Sequence, residues 1–497
     1  MKLKVFVLIL AAVTIFSFVC VSCQSQTGSD DEKNTQISEK SGGTEDGGEE
    51  INSRESIPDN LPEKDYKGYD FRFYTNPGNS LESAINDKFA PGEEIGEVVN
   101  DAVFRRNRTV EERFNINIKT IDSGSQYDQH ATKVKNSILA GDNAFDVAFL
   151  HIIMGPNLSL EGIAYNLLEI PHFDFNKPWW QKQTNEELTL AGKMFLGSNS
   201  IFYTGLSSTH VMYFNRQKIA DYDLEMPYNS VFDGIWTYDM LFSMTKDLYE
   251  DLNGNEQKDS EDFYGYVGLS LFAGLWTSCD IPVLEKGGDE ILKIGVNTEK
   301  TIKLIDKIYD WYYNSPGVLA KPDYTTGWEL DMFANNKALF VLASINDAPT
   351  KFIASDVDYG IVPLPKYDTN QKNYMAFSGD QFFMVPHTAE GESLERTGII
   401  LEALSAEGYK KIIPAYYETA LKIKYLQDEE SVKVLDLIND CRTISFAYIY
   451  DNWEGFAHMG NDLFGAKPTR DFASYYEKRL KSAEKRVNAI IKGFTEE

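Results

Sequence analysis

The stretch GEVVNDAVFRRNRTVEERFNINIKTI, residues 96–121, changes period part-way along: apolar residues first recur at helical spacing and then alternate as in a half-buried strand. Before it, YDFRFYTN (69–76) alternates in the same way. After it, HATKVKNSILAG (130–141) returns to helical spacing and FDVAFLHI (145–152) is an apolar run bounded by turn residues. Strand, helix, strand, helix, strand implies an α/β fold, a doubly wound sheet with crossover helices. Such sheets bind ligands at the carboxyl ends of their strands.

The first residues, MKLKVFVLILAAVTIFSFVCVSC, place Lys2 and Lys4 before an apolar run that closes on small residues and a cysteine. That is the layout of a secretory signal. The CVSC ending resembles a bacterial lipobox with Cys23 as the acylated residue, since Ser22 supplies the small residue before it; Cys20 stands where leucine is usual. A signal over 1–22 and a membrane anchor at Cys23 follow, with an unlipidated signal peptide or short membrane anchor as the other reading. Residues 23–60 are poor in apolar side chains and rich in Gly, Ser, Asp and Glu. Such a segment cannot offset its ordering entropy by burial, so a flexible acidic tether is expected.

More than 400 of the 497 residues remain, beyond what one core normally serves, and two lobes are expected. A formal net charge of −28 with only six histidines argues against nucleic acid and anionic ligands, and favours neutral ones. Cys279 and Cys441 are too few for a disulfide framework and are either buried singly or paired once. No apolar run after residue 23 reaches membrane-spanning length. The body is expected outside the cytoplasm.

Farther on, residues 192–219 carry strand-like runs, and in DGIWTYDMLFSMTKDLYEDL (233–252) Trp236, Met240, Leu241, Met244 and Leu248 fall on one helical face, as core packing requires. The loop DLNGNEQKDSED follows, placed between that helix and the strand YGYVGLS. Its positions 1, 3, 5, 7, 9 and 12 hold Asp251, Asn253, Asn255, Gln257, Asp259 and Asp262, the spacing of a calcium loop. Glu256 stands where the turn usually needs glycine, and Asp262 is shorter than the usual closing Glu. Calcium of modest affinity and a solvated acidic turn are both compatible with this. No second copy exists, so a staple is favoured over a sensor.

Several of these pieces, in this order behind a lipobox, resemble family 1 of the extracellular solute-binding proteins of bacterial ABC importers, which capture sugars: RNRTVEERFNINI, AGDNAFDVAFL, GIWTYDMLF with its Asp/Asn/Gly-rich loop and YGYVGL, FANNKALFV, VDYGIVPLPKYD and QDEESVKVLDLIND. The resemblance covers about residues 65–497. It implies a type II periplasmic-binding-protein-like fold, two α/β lobes with a hinge between discontinuous segments: 61–205 with 358–405, and 206–357 with 406–497. It also implies a structural Ca²⁺ in the second lobe away from the cleft, a sugar or oligosaccharide ligand, docking of the monomer on a permease, and no catalysis.

A sugar receptor needs aromatic platforms flanked by amides and carboxylates. On the loops assigned to the cleft the candidates are His151 and Asn157 after FDVAFL, Trp276 and Asp280 in FAGLWTSCD, Asn346 after KALFVLAS, Asp380 in AFSGDQFFMVP, and Trp453 in IYDNWEG. Tyr203 and Ser207 lie on the expected first crossing. Packing is the competing reading for His151 and Trp276, an interlobe hinge contact for Trp453, and hinge lining for Tyr203 and Ser207. Other functions keep their place: a receptor for peptide or another solute, a glycosidase working with paired carboxylates, or a calcium-dependent adhesion module. The glycosidase shows no nucleophile elbow, phosphate loop or histidine cluster, and the adhesion module lacks tandem repeats.

Overall fold

The computed structural model describes residues 54–76, 88–124, 127–152, 154–268, 272–287, 291–321, 327–379, 381–425 and 428–496, all within the unit Gly47–Glu497. The signal, Cys23, most of the acidic segment and Asp380 lie outside the described residues.

The alternation opens the fold as expected. Strand β1 (Tyr69–Thr75) turns Phe71 and Phe73 inward. Helix α1 (Val98–Phe114) is started by the Glu97 carboxylate, which accepts the backbone N–H groups of Val99 and Asn100, and stopped by Asn115 in the left-handed region. Its buried face, Val99, Ala102, Val103, Arg106, Val110 and Phe114, keeps the helical period. β2 (Ile116–Asp122), α2 (Tyr127–Ala140), β3 (Val147–Leu150) and the short α3 (Met154–Ser159) follow, and β1 pairs in parallel with both β2 and β3.

The chain then builds a second sheet from β4 (His210–Asn215), α4 (Tyr238–Thr245), β5 (Tyr249–Glu250), β6 (Phe263–Val267), α5 (Phe272–Ser278), β7 (Val318–Leu319), β8 (Ala338–Ser344) and β9 (Tyr359–Val362). Its order is β9-β4-β8-β6-β5, with β7 on β6. Two expectations are corrected here. The helix expected to reach Leu248 ends at Thr245, because the chain turns at once into β5, which pairs antiparallel with β6. The Asp251–Asp262 loop therefore closes a β-hairpin rather than following a helix C-terminus. In addition, β9 pairs with β4, so residues 359–362 belong to the second sheet and not to the first lobe.

The return to the first lobe comes through β10 (Ala376–Phe377) and β11 (Phe382–Met384), which lies antiparallel on β3 and completes the order β11-β3-β1-β2. Helix α6 (Gly391–Pro414) packs Leu394 to Ala406 into the first core and runs on without a break as a π-helix, Ala415–Tyr425, whose Tyr416, Tyr417 and Leu421 belong to the second core. α7 (Glu429–Asp440), β12 (Arg442–Thr443, parallel to β10) and α8 (Phe472–Thr495) complete the chain. α8 gives Phe472 and Ala483 to the second core but Val487, Ile490 and Phe494 to the first. Residues 406–497 are thus shared between lobes, because both long helices span them.

The acidic segment also ends earlier than its composition indicates. Asp59 accepts two hydrogen bonds from the Arg113 guanidinium and Arg54 lies over the Tyr409 ring, so residues 54–60 are packed onto the first lobe. Cys279 and Cys441 are both free thiols. Among the described residues no helix is long and apolar enough to cross a membrane.

Candidate functional site

In β6 and β8, which run parallel, the carboxyl ends lead to Gly268 and to Asn346. In the first sheet they lead to Asn76, Ser123 and His151. By the rule for open α/β sheets, a ligand belongs between these ends.

Of these ends only that of β8 opens, among the described residues, on a cavity, a recess of about 250 Å³ that Asn346 lines. Phe89, Arg106, Ile201 and Tyr203 line it on one side, and Asn346, Pro349, Thr350 and Tyr416 on the other. The Tyr203 and Tyr416 rings pack at 4.6 Å between centroids, and burial pushes the Tyr203 hydroxyl up to about 12. Both π-helical stretches of the described chain, Ala348–Phe352 and Ala415–Tyr425, contribute to this wall. Such segments are costly in isolation and concentrate at functional positions. Arg106 is fully buried; its guanidinium donates to Ile201 O at 3.0 Å and to Phe89 O at 3.4 Å and lies 4.5 Å from the Phe89 ring. It anchors the wall.

Next to β8, the Asp347 carboxylate accepts from the backbone and hydroxyl of Ser344, at 2.8 and 2.7 Å, and burial raises its pKa. Asn346 is held by its backbone N–H donating to Ser207 O at 2.8 Å, which leaves its side chain at the recess. Tyr203 and Asn346 are thus the two sequence candidates that the structure brings together.

The others fall elsewhere. Ser207 is fully buried, its hydroxyl donating to Thr204 O, and it lines the crossing rather than any open surface. Trp276 is only 3% exposed, buried with Leu275 and Cys279 on the inner face of α5, so it offers no free ring to a ligand. Asp280 is exposed on a different, wider groove of about 1560 Å³ that also reaches Glu187, Tyr367 and Tyr374. In that groove Lys300 donates to the backbone carbonyl of Asp280, and Lys303 pairs with Glu299 at 2.6 Å. His151 is half-buried at the end of β3. Asn157 is spent on protein contacts, donating to Asn452 Oδ1 at 2.6 Å and accepting from Arg486 at 2.5 Å. Trp453 is 44% exposed and its ring stacks on His458 at 3.7 Å.

Sequence reasoning missed Phe89, Arg106 and Tyr416. Pro414 inside a helical run, followed by an Ala-Tyr-Tyr turn, is the available signal for the last.

In the hairpin loop, the Asp251 carboxylate accepts the backbone N–H groups of Gly254 and Glu256, while the Asn253 and Asn255 amides donate to Asp259. Asp262 is fully buried and accepts from Tyr249, Leu252 and Asp259. Glu256 adopts φ +58°, the left-handed turn for which glycine is usual at that position. Gln257 donates its backbone N–H to Asn255 Oδ1 at 2.7 Å. Among the described residues no three His, Cys, Asp or Glu side chains form a group able to hold a metal.

No protein-family model and no curated protein matches the chain. Solved structures do. A cyclic α-maltosyl-1,6-maltose binding protein from Arthrobacter globiformis has a TM-score of 0.55 at 13% identity, covering 86% of this chain and 99% of that one. UgpB from Mycobacterium tuberculosis, in complex with glycerophosphocholine, gives 0.54 at 14%, covering 85% and 98%. The maltose-binding protein MalE from Listeria monocytogenes, in complex with maltose, gives 0.51 at 15%, covering 86% and 98%. At these identities the fold is what is shared, and it is the two-lobe type II fold of periplasmic binding proteins.

Proposed function

We propose that this chain is an extracytoplasmic solute receptor of an ABC importer, which captures a sugar or oligosaccharide between its lobes without transforming it. The observation that carries this reading is the recess at the carboxyl end of β8, where the Tyr203 and Tyr416 rings and the Asn346 amide meet between the two cores. Rings supply faces for C–H groups, and the amide both donates to and accepts from hydroxyls. Two of the solved structures of the same fold support it, one named a cyclic α-maltosyl-1,6-maltose binding protein and one in complex with maltose. A net charge of −28 favours a neutral solute.

A thermal-shift screen against mono- and oligosaccharides, with peptides as a second panel, tests the reading. A rise in melting temperature with a sugar is expected, and a response to peptides alone would overturn it. With that sugar, Tyr203→Ala and Asn346→Ala should each weaken binding by about 1–3 kcal/mol in calorimetry.

In the same reading Cys23 is acylated and holds the domain at the membrane. Cys23→Ala should move the protein out of the membrane fraction, and unchanged fatty-acid labelling in that variant would refute it. Calcium belongs to the proposal as a staple on the β5–β6 hairpin, with Asp251, Asn253, Asn255, Gln257, Asp259 and Asp262 as its oxygen donors. Asp251 and Asp259 are exposed enough to exchange their internal partners for an ion. Stability should then rise with free calcium at roughly 0.1–1 mM. The Asp251→Ala, Asp259→Ala double variant should lose that rise and keep its sugar affinity, whereas a wild-type melting curve indifferent to millimolar calcium would assign the loop as a solvated turn.

A further inference from the structure

Three side chains that line the recess carry a charge: Lys88, Glu97 and Arg106. Lys88 and Glu97 are exposed and opposite in sign, and the Glu97 carboxylate is held at the amino end of α1, where it accepts the Val99 and Asn100 N–H groups at 3.2 and 2.7 Å. Arg106 has no such balance. It is fully buried, its Nη1 donates to Ile201 O at 3.0 Å and its Nη2 to Phe89 O at 3.4 Å, and its Nε has no hydrogen-bond partner among the described residues. Carbonyl oxygens satisfy N–H groups without cancelling the charge behind them, and the Phe89 ring, 4.5 Å away, adds its quadrupole and no net charge.

The other buried lysine and arginine of the described residues are not left in this state. Arg486 feels the charges of Glu454 and Asp451, and Lys366 that of Asp368. Around Arg106 burial acts alone, and it pushes the pKa of the guanidinium down to about 9. An uncompensated charge inside a protein is costly. Where it borders a cavity, the missing partner can arrive with a ligand.

We propose that the recess takes an anionic group of the solute, the carboxylate of a sugar acid or the phosphate of a sugar ester, and that Arg106 is the residue that selects for it. This rests on the sugar-receptor reading and narrows it: the Asn346 amide and the Tyr203 and Tyr416 rings meet the neutral part of the same molecule. It departs from the neutral solute that the whole-chain charge of −28 favours. That charge is spread along 497 residues and is screened beyond about 8 Å at physiological ionic strength, whereas a buried guanidinium is screened far less and acts on the cavity beside it.

Inorganic phosphate is the probe for the anion alone. Added to the full chain at constant ionic strength, with chloride as the reference, it should raise the melting temperature of wild type, and the rise should fall to about half or less in Arg106→Gln, which keeps donors but no charge. Thr350 is exposed on the opposite wall, so Thr350→Asp sets a carboxylate in the recess without touching a core; it should lose the phosphate response in the same way, and it decides the matter where Arg106→Gln does not fold. No rise in wild type, or a rise in either variant equal to that of wild type, overturns the proposal. Calorimetry then compares sugars that differ only at carbon 6: glucuronate and glucose 6-phosphate against glucose, and galacturonate against galactose. An acidic member should bind about tenfold more tightly than its neutral counterpart or better, and whether it is the uronate or the phosphate ester names the group. A neutral sugar that binds as tightly as its acidic counterparts overturns the selection. If no sugar binds, acidic or neutral, the sugar reading fails and the phosphate response alone decides the anion site.

Discussion

Replacing Glu402 by glutamine is expected to flatten the pH dependence of stability between about pH 4.5 and 7. Glu402 is fully buried on the inner face of α6, where its two carboxylate oxygens accept the indole N–H groups of Trp179 and Trp180 at 2.8 and 2.9 Å. Burial outweighs those bonds and pushes its pKa up to about 7, from an ordinary 4.5. The folded protein therefore holds this proton at pH values where the unfolded chain has released it. Stability from this group is greatest below pH 4.5 and falls as pH rises toward 7, by about 3 kcal/mol over the whole span. Asp451, pushed up to about 6 by burial, acts in the same direction. His210 and His458, pushed down to about 4, act in the opposite one, since the folded state keeps them neutral. The wild-type minus Glu402→Gln difference in urea unfolding, compared at pH 5 and pH 8, isolates Glu402. A difference that does not change with pH would show that the carboxyl titrates normally.

The second large effect is steric. Gly408 lies inside α6, where alanine would ordinarily add about 1 kcal/mol of helix stability. Here a Cβ would stand 2.0 Å from the backbone carbonyl oxygen of Ser200, which cannot swing aside as a side chain would. Gly408→Ala should therefore cost about 3 kcal/mol or more, a reversal of sign. Because Ile201, next to Ser200, accepts the Arg106 bond that anchors the recess, affinity for the proposed sugar ligand should fall as well. Denaturant midpoints and calorimetry on one preparation check both; a stabilised variant would mean that the helix does not approach the crossing so closely.

The parts of the fold readable in sequence are those whose signal is local. The switch from helical to alternating spacing across 96–121 becomes α1 and β2 within two residues, and FDVAFLHI becomes β3. β11 carries no such signal. It has three residues and owes its place to pairing with β3, more than 230 positions earlier. Likewise β5, two residues long, turned an expected helix end into a hairpin. Of the site candidates, Tyr203 and Asn346 meet at one recess, since they border a crossing and a strand end. Trp276 was misread, since which face of α5 is inward depends on what packs against it. Tyr416 sits in a π-helical turn, whose period the usual sequence patterns do not contain.

The antiparallel return strand β11 and the tail of α8 also govern the order in which the molecule can fold. Phe382, Phe383 and Phe494 are fully buried in the same core as Phe71 and Phe149. A chain emerging amino end first would thus expose β1, β2 and β3 with one sheet edge and part of one core unfilled until its last residues arrive. The second sheet, by contrast, is drawn from one stretch, residues 210–362, and can close before that. Long-range closure of this kind slows folding and prolongs the exposure of apolar strands. Truncating α8 before Val487 should therefore yield a chain in which the later-numbered sheet is protected from hydrogen exchange while the amino-terminal one is not.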